Sequence, residues 1–350
     1  MRLLICTQKV DKNDPILGFF HRWIIEFAKH FENITVICLY EGEHDLPKNV
    51  TVLSLGKENG ASRVKYIFRF YRYIWQERNT YDAVFVHMNE EYVLLGGFLW
   101  KLLGRKIYMW RNHYEGNLLT DMSANLCAKV FCTSKYSYTA KYAKTVLMPV
   151  GIDTDIFKIK EGVSRIPNSV LFIARMAPSK NPEVVIRALA LLKSKNIYYA
   201  AAFYGDPSTA HREYYESLQK LVSDQNLADR VHFYPGVKNT DTPALYGQYE
   251  ICVNASMSGM YDKTIFEGIA CGTLPLVCSY DFAKEADRQF IFEDNNHEDL
   301  ASKIEGLLKL SPSRITEYRD TLRTLVEYHS LVRLAQNIRQ EITSSTKDGI

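Results

Sequence analysis

Residues 169–192 read SVLFIARMAPSKNPEVVIRALALL, and this stretch decides the fold class. The apolar run at 169–174 has the length and β-branched content of a buried strand. A polar turn with Pro178 and Pro182 follows, and from Val184 onward apolar residues recur at the spacing of one helix face. A strand that passes through a turn into a helix is the repeating unit of parallel α/β folds.

Similar apolar runs alternate with helical patterns along the rest of the chain. They lie at 2–6, 34–39, 82–87, 106–110, 129–132, 199–204, 250–254 and 274–278. This alternation predicts an α/β protein with parallel sheets. At 350 residues the chain is also longer than one hydrophobic core commonly grows, which favours two domains.

A Pro/Gly pair, Pro149 and Gly151, marks the boundary between the predicted domains. A polar stretch follows it, and the next strand begins at Ser169. We therefore predict an N-terminal domain over 1–150 and a second domain over 151–329. The tail from about Asp320 to Ile342 has a helical pattern with no strand after it, so it can fold back as a helix on either domain. If it crosses back to the first domain, the crossing helix is expected at about 330–345.

Composition excludes several functional classes. The chain is 47% hydrophobic and 24% charged, and no apolar run approaches the roughly 20 residues that a membrane-spanning helix needs. Met1–Cys6 is too short an apolar run for a signal peptide. The seven cysteines form no C-x-x-C pair, which is typical of reduced thiols in the cytoplasm. A formal net charge of +3 without a recognition motif indicates no nucleic-acid partner.

Two cations follow the strand at 169–174, where a helix begins. Arg175 and Lys180 would lie at the carboxyl edge of a parallel sheet, which is where such sheets bind ligands. Together with the backbone N–H groups of the helix N-terminus, they could neutralise a diphosphate. The alternative is that both are solvated loop cations.

A second cluster follows the strand at 250–254. A loop of small residues enters a short helix that stops at Gly272, and Asp262 suits the N-cap position of that helix. Glu267 falls among apolar residues, where a carboxylate needs a hydrogen-bonding partner such as a ribose diol. The alternative is that Glu267 faces solvent or pairs with a nearby Lys or Arg.

Taken in order, these segments resemble the donor domain of the retaining glycosyltransferases of family 4. Pro149–Phe157 is similar to the linker of that family, Tyr204–Asp206 to the turn after its second strand, Val231–Gly236 to its third strand with the following Gly, and Glu267–Pro275 to its ribose-binding helix. The resemblance covers about 149–280 clearly and the N-terminal half weakly. It implies the GT-B fold, in which two Rossmann-like doubly wound domains face each other across a cleft.

The resemblance also implies roles for the donor-side residues. Arg175 and Lys180 match the diphosphate-binding Arg and Lys of the family, and Glu267 matches its ribose ligand. Asp262, Lys263 and Thr264 are implied to lie close to the phosphates and the sugar. The family has a second glutamate eight positions earlier, where this chain has Gly259, so Asp262 is the candidate stand-in at the reacting sugar.

In the N-terminal half, Gly18 lies in a loop that does not follow the G-x-G-x-x-G pattern, which disfavours an ordinary dinucleotide-binding fold. By resemblance Gly18 would approach the phosphates, although a loop that merely turns the chain explains it equally. His113, after the strand at 106–110, matches a histidine beside the reacting sugar and could otherwise be structural. Asn89 and Glu90 would face the acceptor.

The segment Asp153–Asp155 looks like the D-x-D of metal-dependent transferases, but it lies in the linker, and the GT-B class needs no metal for chemistry. We therefore predict no metal and no cofactor. The segment 62–78 places aromatic residues among cations on a helix. One stripe holds Val64, Ile67, Phe68, Tyr71, Ile74 and Trp75, while Tyr66, Phe70 and Tyr73 lie opposite. This pattern suits either peripheral contact with an anionic membrane or a helix buried on two sides.

The prediction is a cytoplasmic enzyme, peripheral at the inner face of the cell membrane if helix 62–78 binds there. It transfers a hexosyl group from a nucleoside diphosphate sugar to a hydroxyl of a glycan or glycolipid, with retention, in cell-surface polysaccharide or glycoconjugate assembly. One alternative is a nucleotide-sugar epimerase. The other is a non-catalytic nucleotide-sugar-binding protein, and Gly259 in place of the family's glutamate favours this second alternative. A nicotinamide-dependent oxidoreductase is disfavoured because the glycine fingerprint is absent.

Overall fold

A computed structural model describes residues 1–259 and 261–347, with side chains up to residue 344. Contacts divide the chain into two compact units. The first comprises Met1–Gly151 and the C-terminal segment from Leu331, and the second comprises Ile152–Ser330. Each unit is built on one parallel sheet.

The first unit has a seven-stranded sheet in the order β3-β2-β1-β4-β5-β6-β7. Its strands are β1 (Leu3–Val10), β2 (Ile34–Glu41), β3 (Val50–Ser54), β4 (Ala83–His87), β5 (Lys106–Trp110), β6 (Lys129–Cys132) and β7 (Thr145–Leu147). Every pairing between neighbours is parallel. The strands are nearly all apolar because a sheet covered on both faces buries both sides of each strand.

Four helices connect these strands: α1 (Gly18–Ala28), α2 (Arg63–Gln76), α3 (Glu91–Leu102) and α4 (Leu118–Leu126). Helix α1 packs on one face of the sheet through Phe20, Trp23 and Phe27. Helices α2, α3 and α4 pack on the other face, where Phe70 and Trp100 contribute to a second core. The unit is therefore doubly wound, with helices on both faces of a parallel sheet.

The second unit has a five-stranded parallel sheet in the order β10-β9-β8-β11-β12. Its strands are β8 (Ser169–Ile173), β9 (Ala200–Tyr204), β10 (Val231–Tyr234), β11 (Ile251–Asn254) and β12 (Leu274–Val277). Its helices are α5 (Pro182–Ser194), α6 (Arg212–Asp224), α7 (Thr242–Gln248), α8 (Lys263–Ala270), α9 (His297–Leu308) and α10 (Pro312–Tyr328).

The chain leaves the second unit through a short break and ends in α11 (Leu331–Lys347), which belongs to the first unit. Leu334 and Ile338 of α11 join the core around α1, and the hydroxyl of Tyr108 donates to the carbonyl of Ile342 at 3.2 Å. The tail pattern predicted one helix, but the structure has two. The break lies where the imidazole of His329 is buried and Ser330 forms a bridge with Ile152.

The structure also corrects the prediction of which side of helix α2 is buried. The helical wheel assigned Ile74 to the same stripe as Val64 and Trp75, yet Ile74 is buried beside Phe70 while Val64 and Trp75 are exposed. The reason is packing, since Phe70 contacts Tyr92 and Trp100 of α3 and draws that side of α2 onto the sheet. Within the described residues, no helix is both long and apolar enough to cross a bilayer.

Candidate active site

The order of strands in the second unit reverses between β8 and β11, which are neighbours in the sheet but not in sequence. Ligands of doubly wound sheets bind at this point, beyond the carboxyl ends of the strands. The loop after β8 carries Arg175 and Lys180, and the loop after β11 carries Ser256 and Asp262. The topology therefore brings together the two clusters that the sequence predicted separately.

Lys180 and Asp262 form an ion pair, with 2.6 Å between Nζ and Oδ2. The same Oδ2 accepts hydrogen bonds from the hydroxyl of Ser256 at 2.6 Å and from the amide of Asn254 at 3.2 Å. Lys180 also donates to Ser256 at 3.1 Å, and Asn254 donates to the hydroxyl of Thr264 at 3.0 Å. The five side chains form one connected network.

The carboxylate of Asp262 is held in its charged form. Burial alone would raise the pKa of this carboxyl, but the Lys180 ammonium and the hydrogen bonds from Ser256 and Asn254 outweigh it and lower the pKa below its ordinary value. Asp262 occupies the N-cap position of α8 as expected, yet its side chain makes no capping hydrogen bond. The carboxylate turns toward Lys180 instead of toward the N–H groups of the helix.

Glu267 lies on α8 and is buried, with only 5% of its surface exposed. Its carboxylate accepts hydrogen bonds from Asn239 and from the hydroxyl of Tyr246, both at 3.5 Å, which is long for a charged acceptor. Burial therefore raises the pKa of Glu267, although the nearby Lys263 ammonium opposes the shift. A buried carboxylate with two long contacts is well suited to accept hydrogen bonds from ligand hydroxyls.

Lys263 is the second cation of this cluster. Burial lowers the pKa of its ammonium, while the carboxylates of Glu267 and Asp153 act in the opposite direction. Asp153 belongs to the D-x-D segment, which thus lies near a lysine within the second unit. Among residues 1–259 and 261–347, no group of three or more His, Cys, Asp or Glu side chains has the arrangement of a metal site.

Arg175 differs from Lys180 in being exposed. Within the described chain its guanidinium makes no hydrogen bond or ion pair, so its position is set by the backbone. That backbone is held by Gly205, whose φ of 145° brings the turn after β9 against Ala174, leaving no room for a Cβ atom. The exposed cation is therefore presented beyond the end of β8.

In the first unit the order of strands reverses between β1 and β4, and Gly18, Asn89, Glu90 and His113 all follow strands near this point. Gly18 is buried and opens α1, and its N–H donates to the carbonyl of Asp14 at 3.0 Å. The Asp14 carboxylate accepts from the N–H groups of Ile16 and Leu17 at 2.9 and 2.7 Å. These three N–H groups of the loop thus already have acceptors.

Glu90 is a nearly buried member of an internal network. Its carboxylate accepts hydrogen bonds from Nε of Arg111 at 2.7 Å and from the hydroxyl of Thr120 at 3.0 Å. It joins the ends of β4 and β5 to the start of α4. Asn89 is only partly exposed, and its backbone N–H donates to the carbonyl of His87 at 2.8 Å.

His113 follows β5 and is partly exposed. Its Nδ1 accepts a hydrogen bond from the backbone N–H of Glu115 at 2.9 Å, and its ring stacks on Tyr114 with 4.7 Å between centroids. Because Nδ1 is the acceptor, the neutral imidazole carries its proton on Nε2. The ring can therefore act as a hydrogen-bond donor at Nε2.

Sequence reasoning gave no role to four residues of the donor-side cluster: Asn239, Tyr246, Asn254 and Ser256. Asn254 and Ser256 are buried and hold Asp262. The available signal was their position, because polar residues at the end of a buried strand (Asn254) or just after it (Ser256) lie at the ligand edge of the sheet. Tyr246 contacts Glu267 from α7, and Asn239 contacts it from the loop before α7. No local sequence pattern indicates either contact.

Residues 153–322 match the family described as glycosyl transferases group 1. These 170 residues, slightly under half of the chain, are similar to that family, and we call them the group 1 segment. The group 1 segment covers nearly all of the second unit, including Arg175, Lys180, Asp262 and Glu267. A curated relative, D-inositol 3-phosphate glycosyltransferase of Thermomonospora curvata, is 28% identical over an alignment of 160 positions that covers 41% of this chain. The chain spans only 37% of the length of that relative.

Solved structures resemble nearly the whole chain and not only the group 1 segment. HepE of Anabaena in complex with UDP has a TM-score of 0.78 at 17% identity, covering 98% of this chain and 100% of that one. Sucrose-phosphate synthase of Thermosynechococcus elongatus has a TM-score of 0.75 at 14% identity and covers both chains completely. At such identities the likeness shows the fold, which is the predicted α/β fold of the GT-B class.

Proposed function

We propose that the protein is a glycosyltransferase that moves a hexosyl group from a nucleoside diphosphate sugar to an acceptor hydroxyl. The observation that carries the proposal is the cluster of Lys180, Asp262, Lys263 and Glu267 at the carboxyl edge of β8 and β11 in a group 1 segment. Two cations and a buried carboxylate with long hydrogen bonds match the chemistry of a diphosphate joined to a ribose.

In this proposal the cations bind the donor phosphates. Lys180 and Arg175 approach from the loop after β8, while Lys263 and the Thr264 hydroxyl approach from the start of α8. Breaking the glycosidic bond leaves negative charge on the departing diphosphate, and fixed positive charges stabilise that charge most as it develops. Gly18, at the start of α1 in the first unit, is assigned to the phosphates from the family 4 resemblance alone, since its N–H already donates to Asp14.

Glu267 binds the ribose hydroxyls, and Asp262 contacts the donor sugar in place of the glutamate that Gly259 replaces. Retention of configuration is proposed from the family 4 resemblance. Since the sequence pattern shows no obvious carboxylate nucleophile, the proposal is a same-face mechanism, in which the acceptor attacks the face that the diphosphate leaves. Metal independence belongs to the same proposal. The ammonium groups of Lys180 and Lys263 would supply the positive charge that a divalent ion supplies in other transferases.

The acceptor side is proposed to lie on the first unit, at His113, Asn89 and Glu90. A neutral His113 with its proton on Nε2 would donate a hydrogen bond to a sugar hydroxyl. Glu90 would act indirectly, since Arg111 and Thr120 already engage its carboxylate. The proposed acceptor is a hydroxyl of a glycan or glycolipid in cell-surface polysaccharide or glycoconjugate assembly. The proposed location is cytoplasmic and peripheral at the inner face of the membrane.

A non-catalytic nucleotide-sugar-binding protein is the second candidate. Gly259 favours it, because a glycine with φ of 97° stands where the family has the glutamate that touches the donor sugar. Such a protein would bind the donor and leave its glycosidic bond intact. Donor hydrolysis in the absence of an acceptor separates the two candidates.

The first experiment is a thermal-shift screen of UDP-, GDP-, ADP- and TDP-sugars, followed by hydrolysis assays on every sugar that binds. A ligand at about 100 times its dissociation constant adds about 2.7 kcal/mol to the free energy of unfolding, which gives a measurable shift. A selective shift with hydrolysis supports the transferase, and a shift without turnover supports the binding protein. The absence of any shift would contradict both.

A further inference from the structure

Helices α2, α3 and α4 lie side by side on one face of the seven-stranded sheet. The hydroxyl of Tyr71 on α2 donates to the carbonyl of Leu95 on α3 at 2.8 Å, and Gly97 of α3 lies directly against Leu126 of α4. Their inner sides share one hydrophobic core with the sheet. Because the three helices form one layer, their outer sides form a single surface, which we call the α2–α4 face.

The α2–α4 face is strongly apolar. Of the 23 large hydrophobic side chains exposed in the described chain, 11 lie on these three helices. The most exposed are Val64 at 77%, Leu118 at 72%, Phe98 at 71%, Leu102 at 69% and Phe68 at 68%. Single exposed apolar residues are ordinary on a protein surface, but a concentration of this kind marks an interaction site.

Every charged residue of α2 is positively charged. Residues 63–76 include Arg63, Lys65, Arg69 and Arg72 and no Asp or Glu. Arg69 is engaged by the carbonyl of Leu55, whereas Arg63, Lys65 and Arg72 are exposed and form no ion pair with any carboxylate in the described residues.

An aromatic residue lies at the end of the same helix. The guanidinium of Arg78 lies over the ring of Trp75, 4.5 Å from its centroid, and Trp75 is itself 54% exposed. Tryptophan beside arginine is characteristic of the boundary between lipid headgroups and acyl chains, because each side chain has an apolar body and a polar end.

We propose that the α2–α4 face docks on an anionic lipid bilayer. The apolar side chains would enter the acyl boundary, while the α2 cations would contact anionic headgroups, each adding to the attraction. A second copy of the chain is a poor occupant. A two-fold contact through this face would bring the α2 cations of both copies together without compensating carboxylates on that helix.

The position of the face also bears on the acceptor. Helix α4 begins five residues after His113, and the hydroxyl of Thr120 on α4 donates to Glu90. The bilayer would therefore meet the protein beside the proposed acceptor residues, which implies a lipid-linked acceptor. This last step rests on the proposed glycosyl transfer, whereas the docking itself does not.

The test is sedimentation of the full chain with vesicles of phosphatidylglycerol and phosphatidylcholine, compared with phosphatidylcholine alone. Trp75 is a built-in reporter, because the other three tryptophans, Trp23, Trp100 and Trp110, are buried. We expect binding to the anionic vesicles, a blue shift of the tryptophan emission, and at least about a tenfold loss of binding at high salt.

Two variants and one control sharpen the test. Phe68→Asp with Phe98→Asp removes apolar contact, and Arg63→Glu with Arg72→Glu reverses the charge; each should reduce vesicle binding at least about tenfold. Tyr198→Asp changes an equally exposed aromatic residue in the second unit and should leave binding unchanged. Unfolding curves establish that each variant is folded.

Three results would overturn the proposal: no sedimentation of the wild type with anionic vesicles at low salt, equal binding by the Phe68/Phe98 variant, or a dimer that this variant dissociates while neither protein binds lipid. If the protein bound anionic vesicles but no sugar nucleotide, the docking proposal would stand. The inference of a lipid-linked acceptor would then be rejected together with the proposed glycosyl transfer. Failure of the docking is thus distinguished from failure of the proposed enzyme.

Discussion

Lys180 and Asp262 are 82 residues apart in sequence, yet Nζ of the lysine lies 2.6 Å from Oδ2 of the aspartate at the reversal point of the second sheet. The pair joins the loop after β8 to the start of α8. A donor diphosphate bound by Lys180 would therefore arrive at a cation that the protein already holds in place, with little side-chain entropy left to lose.

Lys180→Ala should weaken the binding of the donor identified in the screen. Loss of a charge-assisted hydrogen bond costs about 1.5 to 3 kcal/mol, which corresponds to a roughly 10- to 150-fold higher dissociation constant. Titration calorimetry measures the change. The matched control is Lys195→Ala, which breaks an exposed lysine–carboxylate pair of the same unit and should leave donor binding unchanged. Equal affinity of the wild type and Lys180→Ala would reject the assignment of Lys180.

The Lys180–Asp262 pair should also make stability depend on acid pH. The pKa of Asp262 is lowered in the folded protein, below its ordinary 3.8, so the unfolded chain takes up this proton first as the pH falls. The stabilisation is therefore complete above pH 3.8 and is lost as the pH drops through the folded pKa. Urea unfolding of wild type and Asp262→Asn should differ by about 1.5 to 3 kcal/mol at neutral pH, with a gap that narrows on acidification. A gap that stays constant would contradict the ion pair.

Lys263 leads to a prediction at the opposite end of the pH scale. Burial lowers the pKa of its ammonium, so this lysine loses its proton well before an exposed lysine does. Binding of a nucleoside diphosphate sugar, whose phosphates keep their charge, should weaken between pH 7 and about pH 10. Lys263→Arg keeps its charge over that range and should flatten the profile. A wild-type profile that is already flat would show that Lys263 does not contact the phosphates.

The strands of both sheets were largely predictable because buried parallel strands are continuous apolar runs. All nine predicted runs overlap observed strands, and β10 matches the strand expected from the resemblance. The two strands without a prediction, β3 and β7, are the edges of the first sheet. Their residues are only partly buried, and short edge strands such as Thr145–Leu147 differ little from loops in composition.

The site was predictable as a set of residues and much less so as a set of contacts. Strand-end positions placed Lys180, Asp262 and Glu267 at one edge, because parallel topology fixes that edge. The N-cap preference of Asp262 was a local argument, and it failed for the side chain because Lys180 offers a stronger electrostatic partner. Similarly, the helical wheel of α2 predicted an apolar stripe but assigned Ile74 to the wrong side of the helix. Contacts with α3, which a helical wheel does not include, determine which side of α2 is buried.

Glu90 and His113 should separate stability from activity in the first unit. Glu90→Gln weakens the hydrogen bonds with Arg111 and Thr120 and should lower the free energy of unfolding by about 1.5 to 3 kcal/mol. His113→Ala loses the hydrogen bond from Glu115, which joins two neutral groups on a partly exposed loop, so its stability should change by about 1 kcal/mol. Turnover by His113→Ala should nevertheless fall about 10- to 100-fold at unchanged donor affinity. Full turnover by this variant would leave His113 a purely structural role.

Gly205 and Gly306 form a matched pair of glycine-to-alanine changes with opposite expected signs. At Gly205 the φ of 145° suits glycine alone, and an added Cβ atom would lie 1.9 Å from the carbonyl oxygen of Ala174. We expect Gly205→Ala to lower the free energy of unfolding by about 2 kcal/mol or more, and to weaken donor binding because the backbone of Arg175 must move.

Gly306 lies on the exposed side of α9, and nothing lies within 4 Å of the position that its Cβ would take. Alanine there restricts the unfolded chain and favours the helix, so Gly306→Ala should raise the free energy of unfolding by about 0.5 to 1 kcal/mol without changing donor affinity. Urea unfolding and calorimetry on both variants measure the two effects. If Gly205→Ala, like Gly306→Ala, left donor affinity unchanged and did not lower the free energy of unfolding, the contact between the turn after β9 and Ala174 would not fix the position of Arg175.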